Sequence, residues 1–144
     1  MIEQNSTIPI SNESRLHAAI IVQELVRSAK QTVFIQCTNL ATDVYGNPET
    51  IKEIQDAIKR GVTFKVAVRS KHPKAKELYE LLTSSSSSSI LLDTKVFAKD
   101  FCVVDGVRSR VETDSVLGKA VASAYDEELG ELLNTVFNRK YDAA

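Results

Sequence analysis

Ionisable side chains are concentrated in a hairpin predicted near residue 105. Asp105 and Gly106 form a dipeptide that favours a two-residue turn between antiparallel strands. After the turn, Arg108, Arg110 and Glu112 alternate with small or apolar residues, so in a strand they share one face. The two guanidinium groups could bind phosphate, although Glu112 could pair with either of them. A phosphate site and a structural ion pair both fit this pattern.

A second basic group follows a strand predicted over residues 62–68. Its members are Arg69, Lys71, His72, Lys74 and Lys76. Because Pro73 is typical of the first position of a helix, charges and free backbone N–H groups could together bind an anion here. Glu77 and Glu80 follow closely, so the group also fits a solvated helix start.

Other site types find little support in the sequence. The acidic residues near the hairpin do not have the spacing of a known metal-binding motif, and no histidine lies among them in the sequence. These residues are Asp93, Asp100, Asp105, Glu112 and Asp114. The five glycines are not clustered, so no phosphate-binding glycine loop is present. We expect neither a metal nor a cofactor. His17 is expected on a helix face, and His72 has no evident catalytic partner in the sequence.

The composition limits the class of protein. The chain has 144 residues and a formal net charge of −1, which predicts one domain and excludes a strong overall basic excess. Any nucleic-acid site would therefore be local. No apolar run is long enough to span a bilayer, and the first residues do not resemble a signal peptide, so we expect a cytoplasmic protein without membrane contact. Cys37 and Cys102 lie in apolar runs and are predicted to be buried thiols.

The elements that position these residues alternate between helix and strand in the first half. Residues 1–10 show no periodicity and predict a tail, whereas residues 11–144 predict a single domain. Residues 11–13 could cap a helix with the apolar stripe Ala18, Val22, Leu25 and Ala29. A strand over 32–37, a helix from Asn47 to Gly61, a strand over 62–68 and a helix after Pro73 follow.

The second half predicts a flexible serine loop over 84–89, strands over 90–97 and 101–104, the hairpin, and a strand over 119–124. Residues 126–128 should cap a final helix. Its predicted inward residues are Leu129, Leu132, Leu133, Val136 and Phe137. Together these elements indicate an α/β (α+β) fold with a mixed β-sheet flanked by helices.

Two stretches resemble the phospholipase D superfamily, in particular the Nuc-like bacterial endonucleases that have one catalytic half per chain. Residues 57–66 resemble the helix, basic-glycine turn and strand before that family's signature. Residues 98–105 resemble its H-x-K-x4-D motif, and residues 111–117 resemble the strand that leads into its G-S-x-N stretch. The resemblance implies a phospholipase D-like half that completes its site by forming a symmetric homodimer.

The motif is degenerate. Ala98 occupies the position of the histidine that attacks phosphorus in that family, and Asp100 occupies that of the phosphate-binding lysine. Only Asp105 is retained from the motif, and Ser115 is retained from the G-S-x-N stretch, where Asp114 replaces the glycine and Leu117 the asparagine. A methyl group cannot act as a nucleophile and a carboxylate repels phosphate, so the sequence indicates that the site is not catalytic.

Three functions follow as hypotheses. The first is a catalytically degenerate module for dimerisation, partner binding or ligand sensing. The second is a non-catalytic nucleic-acid-binding protein that retains a phosphate groove. Its candidate phosphate-binding residues are Arg69, Lys71, His72, Lys74, Arg108 and Arg110. The third is a divergent phosphodiesterase or nuclease. A homodimer is expected, with nucleic acid or another protein as the further partner.

Overall fold

The structure is a computed structural model that describes residues 9–12, 15–40, 44–70, 72–86, 88–92, 100–114 and 119–143. Its elements are β1 (Pro9–Asn12), α1 (Arg15–Ser28), β2 (Thr32–Cys37), α2 (Pro48–Lys59), β3 (Thr63–Val68), a short 3-10 helix (Pro73–Ala75), α3 (Lys76–Ser84), β4 (Ser89–Leu92), β5 (Phe101–Val104), β6 (Arg108–Asp114), β7 (Lys119–Ser123) and α4 (Glu127–Ala143). The predicted α/β class is confirmed.

The strands form one mixed sheet in the order β1-β7-β6-β5-β2-β3-β4. The strands β2, β3 and β4 are parallel, whereas β5 is antiparallel to β2 and the remaining pairs are antiparallel. Consequently β2, β3 and β6 end at the edge where β5 begins, which we call the carboxyl edge. The turn between β5 and β6 lies at the opposite edge, which we call the hairpin edge.

The helices cover both faces of the sheet and bury two apolar clusters. The larger cluster joins one face of β2, β3 and β5 to α1, α2 and α3, and it includes Val22, Leu25, Ile54, Phe64 and Leu78. The smaller cluster joins the other face to α4 through Phe34, Phe101, Leu133 and Phe137. This two-sided burial explains why β2 has an almost continuous apolar sequence.

Local capping signals in the sequence are confirmed at two helices. Asn47 accepts a hydrogen bond from the backbone N–H of Glu49 at 2.9 Å, Pro48 begins α2, and Gly61 follows the helix with φ of 94°. The Asp126 carboxylate accepts the Leu129 N–H at 3.0 Å at the start of α4. These interactions satisfy donors that have no partner within the helix.

Three local predictions differ from the structure in their bounds. Pro9 to Asn12 form β1, which pairs with β7, so the predicted tail and first helix cap do not extend through these residues. The serine run is not a loop throughout, because Ser84 ends α3, Ser89 begins β4 and the buried Ser88 hydroxyl binds the Phe64 N–H at 3.1 Å. The β5–β6 turn has three residues, 105–107, since Val104 pairs with Arg108.

The inward face of α4 also differs from the prediction. Leu133 and Phe137 are buried, but Leu132 is 58% exposed and Val136 is 36% exposed. The buried line includes Gly130, where a Cβ atom would lie 1.8 Å from the Gly106 carbonyl oxygen. This close approach of α4 to the hairpin sets the rotation of the helix and turns Leu132 and Val136 outward.

Within the described part of the chain, no helix has the length and apolar character required to cross a bilayer.

Candidate ligand site at the carboxyl edge

The ends of β2 and β3 are held together at the carboxyl edge. The backbone N–H groups of Arg69 and Ser70 donate to the Thr38 carbonyl oxygen at 3.1 and 3.0 Å. The Arg69 Nη2 atom also donates to Thr38 Oγ1 at 3.2 Å. These contacts fix the Arg69 guanidinium beside the end of β2, where its charge acts on the neighbouring strand β5.

Two carboxyl groups lie next to this contact. Asp100 precedes β5, and its Oδ2 accepts the Thr38 N–H at 3.4 Å. Its side chain also shares a hydrogen bond with Glu112, whose backbone N–H donates to the Asp100 carbonyl oxygen at 2.9 Å. Burial raises the pKa of Asp100, and the Thr38 N–H, Glu112 and the charges of Arg69 and Arg110 oppose that shift.

Arg110 lies deeper, in the middle of β6. It pairs with Cys102 in the sheet and is only 3% exposed. Burial raises the pKa of Cys102 to about 12, and the positive charge of Arg110 opposes this shift. Arg110 therefore sits among core residues rather than on an open groove.

Arg108 lies at the other end of β6, on the same face as Arg110 and Glu112. The alternation in the sequence correctly placed these three side chains on one face. Glu112 is four positions after Arg108 along the strand, a distance of about 13 Å. The structure thus divides the predicted phosphate-binding arginines between the two edges of the sheet.

Asp105, the retained motif aspartate, is at the hairpin edge. Its Oδ1 accepts the N–H groups of Gln31 and Thr32 at 2.8 and 3.0 Å, and its Oδ2 accepts the Lys30 N–H at 2.9 Å. Arg108 Nη1 lies 3.8 Å from the same carboxylate. Asp105 therefore joins the hairpin to the connection between α1 and β2.

The second basic group lies after β3. His72 precedes the short 3-10 helix, and its Nδ1 accepts the Lys74 N–H at 3.2 Å. Lys74 is exposed, and Lys76 pairs loosely with Glu80 at 3.8 Å. His17 is exposed on α1. His72 and Lys74 are both exposed at the solvated start of the short 3-10 helix.

Some predicted site residues lie outside the described residues, namely Lys71, Asp93, Ala98, Ser115 and Leu117. The roles assigned to them remain predictions. Within the described part of the chain, no group of three or more histidine, cysteine or acidic residues could hold a metal ion.

Sequence reasoning missed two residues near the carboxyl edge. Tyr45, which lies between β2 and α2, is 4% exposed, and burial raises its pKa, with the charge of Arg110 opposing the shift. Thr38, directly after β2, contacts Asp100, Arg69 and Ser70. The apolar pair Val44 and Tyr45 between β2 and α2 was the available signal for the burial of Tyr45.

No protein-family model and no curated protein matches the sequence. Solved structures do share its architecture. One is TrmBL2, described as an archaeal chromatin protein with a novel mode of DNA binding, with a TM-score of 0.73 and 13% identity. The match covers 99% of this chain and 55% of TrmBL2, so the chain spans about half of that protein.

Two further similar structures are close to this chain in length. Nuc from Salmonella typhimurium, a phospholipase D family member, has a TM-score of 0.69 and 16% identity over 94% of this chain and 95% of Nuc. NucT from Helicobacter pylori has a TM-score of 0.69 and 8% identity over 94% of this chain and 97% of NucT. The predicted phospholipase D-like fold is thus confirmed, and the chain has a Nuc-like phospholipase D fold.

Proposed function

We propose that the chain is a catalytically inactive phospholipase D-like domain that acts as a dimerising binding or regulatory module. The observation that supports this most strongly is the position of Asp100. Its carboxyl group lies at the carboxyl edge, where the resemblance places a phosphate-binding lysine, and it shares a hydrogen bond with Glu112.

The chemistry of these residues opposes phosphoryl transfer. A reaction of the implied type needs a nucleophile that attacks phosphorus and a cation that stabilises the phosphate oxygens. Ala98 has no nucleophilic atom, and Asp100 and Glu112 bring two carboxyl groups where negative charge would have to be stabilised. Arg69 and Arg110 offset these carboxyl groups but leave no marked positive charge at this edge.

A cleavage assay tests the absence of catalysis. The purified chain should not cleave duplex DNA, single-stranded DNA or bis-p-nitrophenyl phosphate above the background of a mock purification. The variants His17→Ala, His72→Ala and Glu112→Gln serve as controls for contamination. Cleavage by the chain that any of these three substitutions abolishes would overturn the proposal, because it would identify a working catalytic group.

The dimer is part of the same proposal. The Nuc-like resemblance implies two halves related by a two-fold axis, and this chain covers nearly the whole of Nuc and NucT. Light scattering coupled to size-exclusion chromatography should give twice the mass of 15.9 kDa. A mass that stays at one chain over a wide range of protein concentration would contradict the dimer.

A nucleic-acid-binding protein without catalysis is the second candidate. It is favoured by the similarity to TrmBL2, whose structure is described as showing DNA binding, and by the exposed basic residues after β3. Fluorescence anisotropy with duplex DNA would then show binding that weakens steeply with added salt. Lys74→Gln should weaken it more than Lys52→Gln, an exposed lysine on α2. An absence of binding at low salt would exclude this candidate.

A cytoplasmic location also belongs to this proposal. Cys37 and Cys102 are both buried free cysteines. Free thiols are typical of a reducing compartment. Fractionation of cells that express the tagged full-length protein would test the location.

A further inference from the structure

Helix α4 presents large apolar side chains on its outer surface. Leu132 is 58% exposed, more than any other large apolar residue of the described part of the chain, and Val136 lies one turn later and is 36% exposed. The opposite side of the helix packs on the sheet, where Leu133 and Phe137 are buried. Leu132 and Val136 therefore lie on a face that the chain itself leaves uncovered.

Leu132 belongs to a narrow row of exposed residues along α4, which we call the outer stripe. Its members follow one another at spacings of four, three and four residues: Glu128, Leu132, Thr135 and Arg139. This is the spacing of the seam along which two helices pack in a coiled coil. At 3.6 residues per turn, the four side chains lie within about 60° around the helix axis. The outer stripe is thus suited to contact with one other helix.

The charges of α4 are divided between its two ends. Glu127, Glu128 and Glu131 lie in the first part of the helix, and Arg139 lies in the last part. Within the described part of the chain, neither Glu128 nor Arg139 forms an ion pair. This division suits the dipole of a single helix, but it also makes α4 complementary to an antiparallel copy of itself. A parallel copy would instead place the three glutamates side by side.

A two-fold axis through the middle of the outer stripe brings its members together in complementary pairs. When α4 packs antiparallel on a second copy, Glu128 lies opposite the partner's Arg139, and Leu132 lies opposite the partner's Thr135. Both pairs are centred between residues 133 and 134, so one axis produces them. The two Leu132 side chains are then offset by about 4.5 Å along the helices and can contact each other across the axis.

We propose that the outer stripe of α4 is the surface through which two copies of this chain form a symmetric, antiparallel dimer. The proposal rests on the homodimer proposed above and names the surface that forms it. Burial of Leu132 at the centre removes its exposed apolar area from water, and the two pairs of Glu128 with Arg139 fix the antiparallel orientation. At about 25 Å by about 10 Å, one helix face is smaller than the roughly 800 Å² per partner of a standard interface. We therefore expect a dimer that exchanges with the monomer.

Sedimentation equilibrium of the full chain over a range of concentrations would measure the Kd of the dimer. Leu132→Gln should raise this Kd at least about tenfold, because the substitution removes the apolar centre of the contact. Ile20→Gln is the matched control, since Ile20 is a 39% exposed apolar residue on another helix, α1. This control should leave the Kd unchanged.

Exchanging charges tests whether the partner surface is α4 itself. Glu128→Lys and Arg139→Glu should each raise the Kd about three- to tenfold, because each homodimer then has two contacts between like charges. An equal mixture of the two variants should dimerise with nearly the original Kd, because every contact then joins opposite charges. An effect on the dipole of a single helix could not be relieved by mixing.

Two results would overturn the proposal and leave the homodimer standing. One is a dimer whose Kd is the same for Leu132→Gln and for the Ile20→Gln control. The other is a mixture of the two charge variants that dimerises no better than either variant alone. A chain that remains monomeric at every concentration would overturn the homodimer as well. None of these outcomes bears on the proposed lack of catalysis, because α4 contains no residue of the degenerate motif.

Discussion

The Asp105 carboxylate accepts the backbone N–H of Gln31 at 2.8 Å, and so joins the β5–β6 turn to the start of β2. Asp105 also adopts a positive φ of 54°, followed by Gly106 at 71°. Asparagine and aspartate tolerate this backbone region better than other side chains that have a Cβ atom. The same residue therefore shapes the turn and binds three N–H groups outside it.

Replacing Asp105 should destabilise the fold. Asp105→Ala removes the acceptor of three N–H groups and places alanine at a positive φ, so we expect a loss of about 2 to 4 kcal/mol in the free energy of unfolding. Asp105→Asn retains one oxygen acceptor and should lose about half as much. Urea unfolding measures both, with the exposed Glu131→Ala on α4 as the control. A loss in Asp105→Ala no larger than that of the control would contradict the role.

Gly130 should not tolerate a side chain. The Cβ atom of Gly130→Ala would lie 1.8 Å from the Gly106 carbonyl oxygen, so α4 must shift away from the hairpin. We expect a loss of about 2 to 4 kcal/mol despite the better helix propensity of alanine. Thr135→Ala, on the exposed side of α4, is the control and should change stability by less than about 0.5 kcal/mol. Equal thermal midpoints for the two variants would show that α4 does not press on Gly106.

Phe137 is the centre of the smaller apolar cluster. Its ring stacks on Phe34 at 5.1 Å and on Tyr141 at 5.2 Å between centroids, and it is 1% exposed. Phe137→Ala should cost about 3 to 5 kcal/mol. Val136→Ala, one residue earlier, should cost less than about 1 kcal/mol because Val136 is partly exposed. A larger loss for Val136→Ala would mean that α4 presents the face first predicted from the sequence.

The carboxyl edge should give stability an unusual pH dependence. Because the pKa of Asp100 is raised, the folded chain binds more protons than the unfolded chain in the pH range above the ordinary aspartate pKa. Asp100 therefore contributes its full stabilisation to the folded chain at pH values below the ordinary aspartate pKa. This stabilisation is lost as the pH rises through the raised pKa. Asp100→Asn keeps a neutral side chain at every pH. Its stability relative to the original chain should therefore increase as the pH rises.

Urea unfolding of both proteins at a series of pH values from acidic to neutral would measure this difference. The comparison cancels contributions from the other titrating groups that do not interact with Asp100. A difference that falls with pH would show that Arg69 and Arg110 outweigh the burial of Asp100.

Much of the fold follows from local signals in the sequence. The helix α2 was predictable at both ends, because Asn47, Pro48 and Gly61 act on their immediate neighbours. The strand β1 was not, since Pro9 to Asn12 are held by pairing with distant residues of β7. The exposure of Leu132 could not be predicted either, because it depends on the close approach of Gly130 to Gly106, which is a tertiary contact.

The candidate site was predictable in the same partial way. Alternation along β6 correctly placed Arg108, Arg110 and Glu112 on one face. The alternation could not show that other parts of the chain cover this face. Because the face is covered, Arg110 is buried beside Cys102. The contacts of Thr38 with Arg69 and Asp100 join three segments that are far apart in the sequence, so no local pattern could reveal them.

The pairing of β1 with β7 constrains the order in which the chain can assemble. Pro9 lies opposite Ser123, so β1 has no strand partner until β7, far later in the chain, has been made. The parallel strands β2, β3 and β4 and the helices between them need no later segment to pair with one another. During synthesis, β1 must therefore remain unpaired while the centre of the sheet forms, and it joins the sheet only after β7.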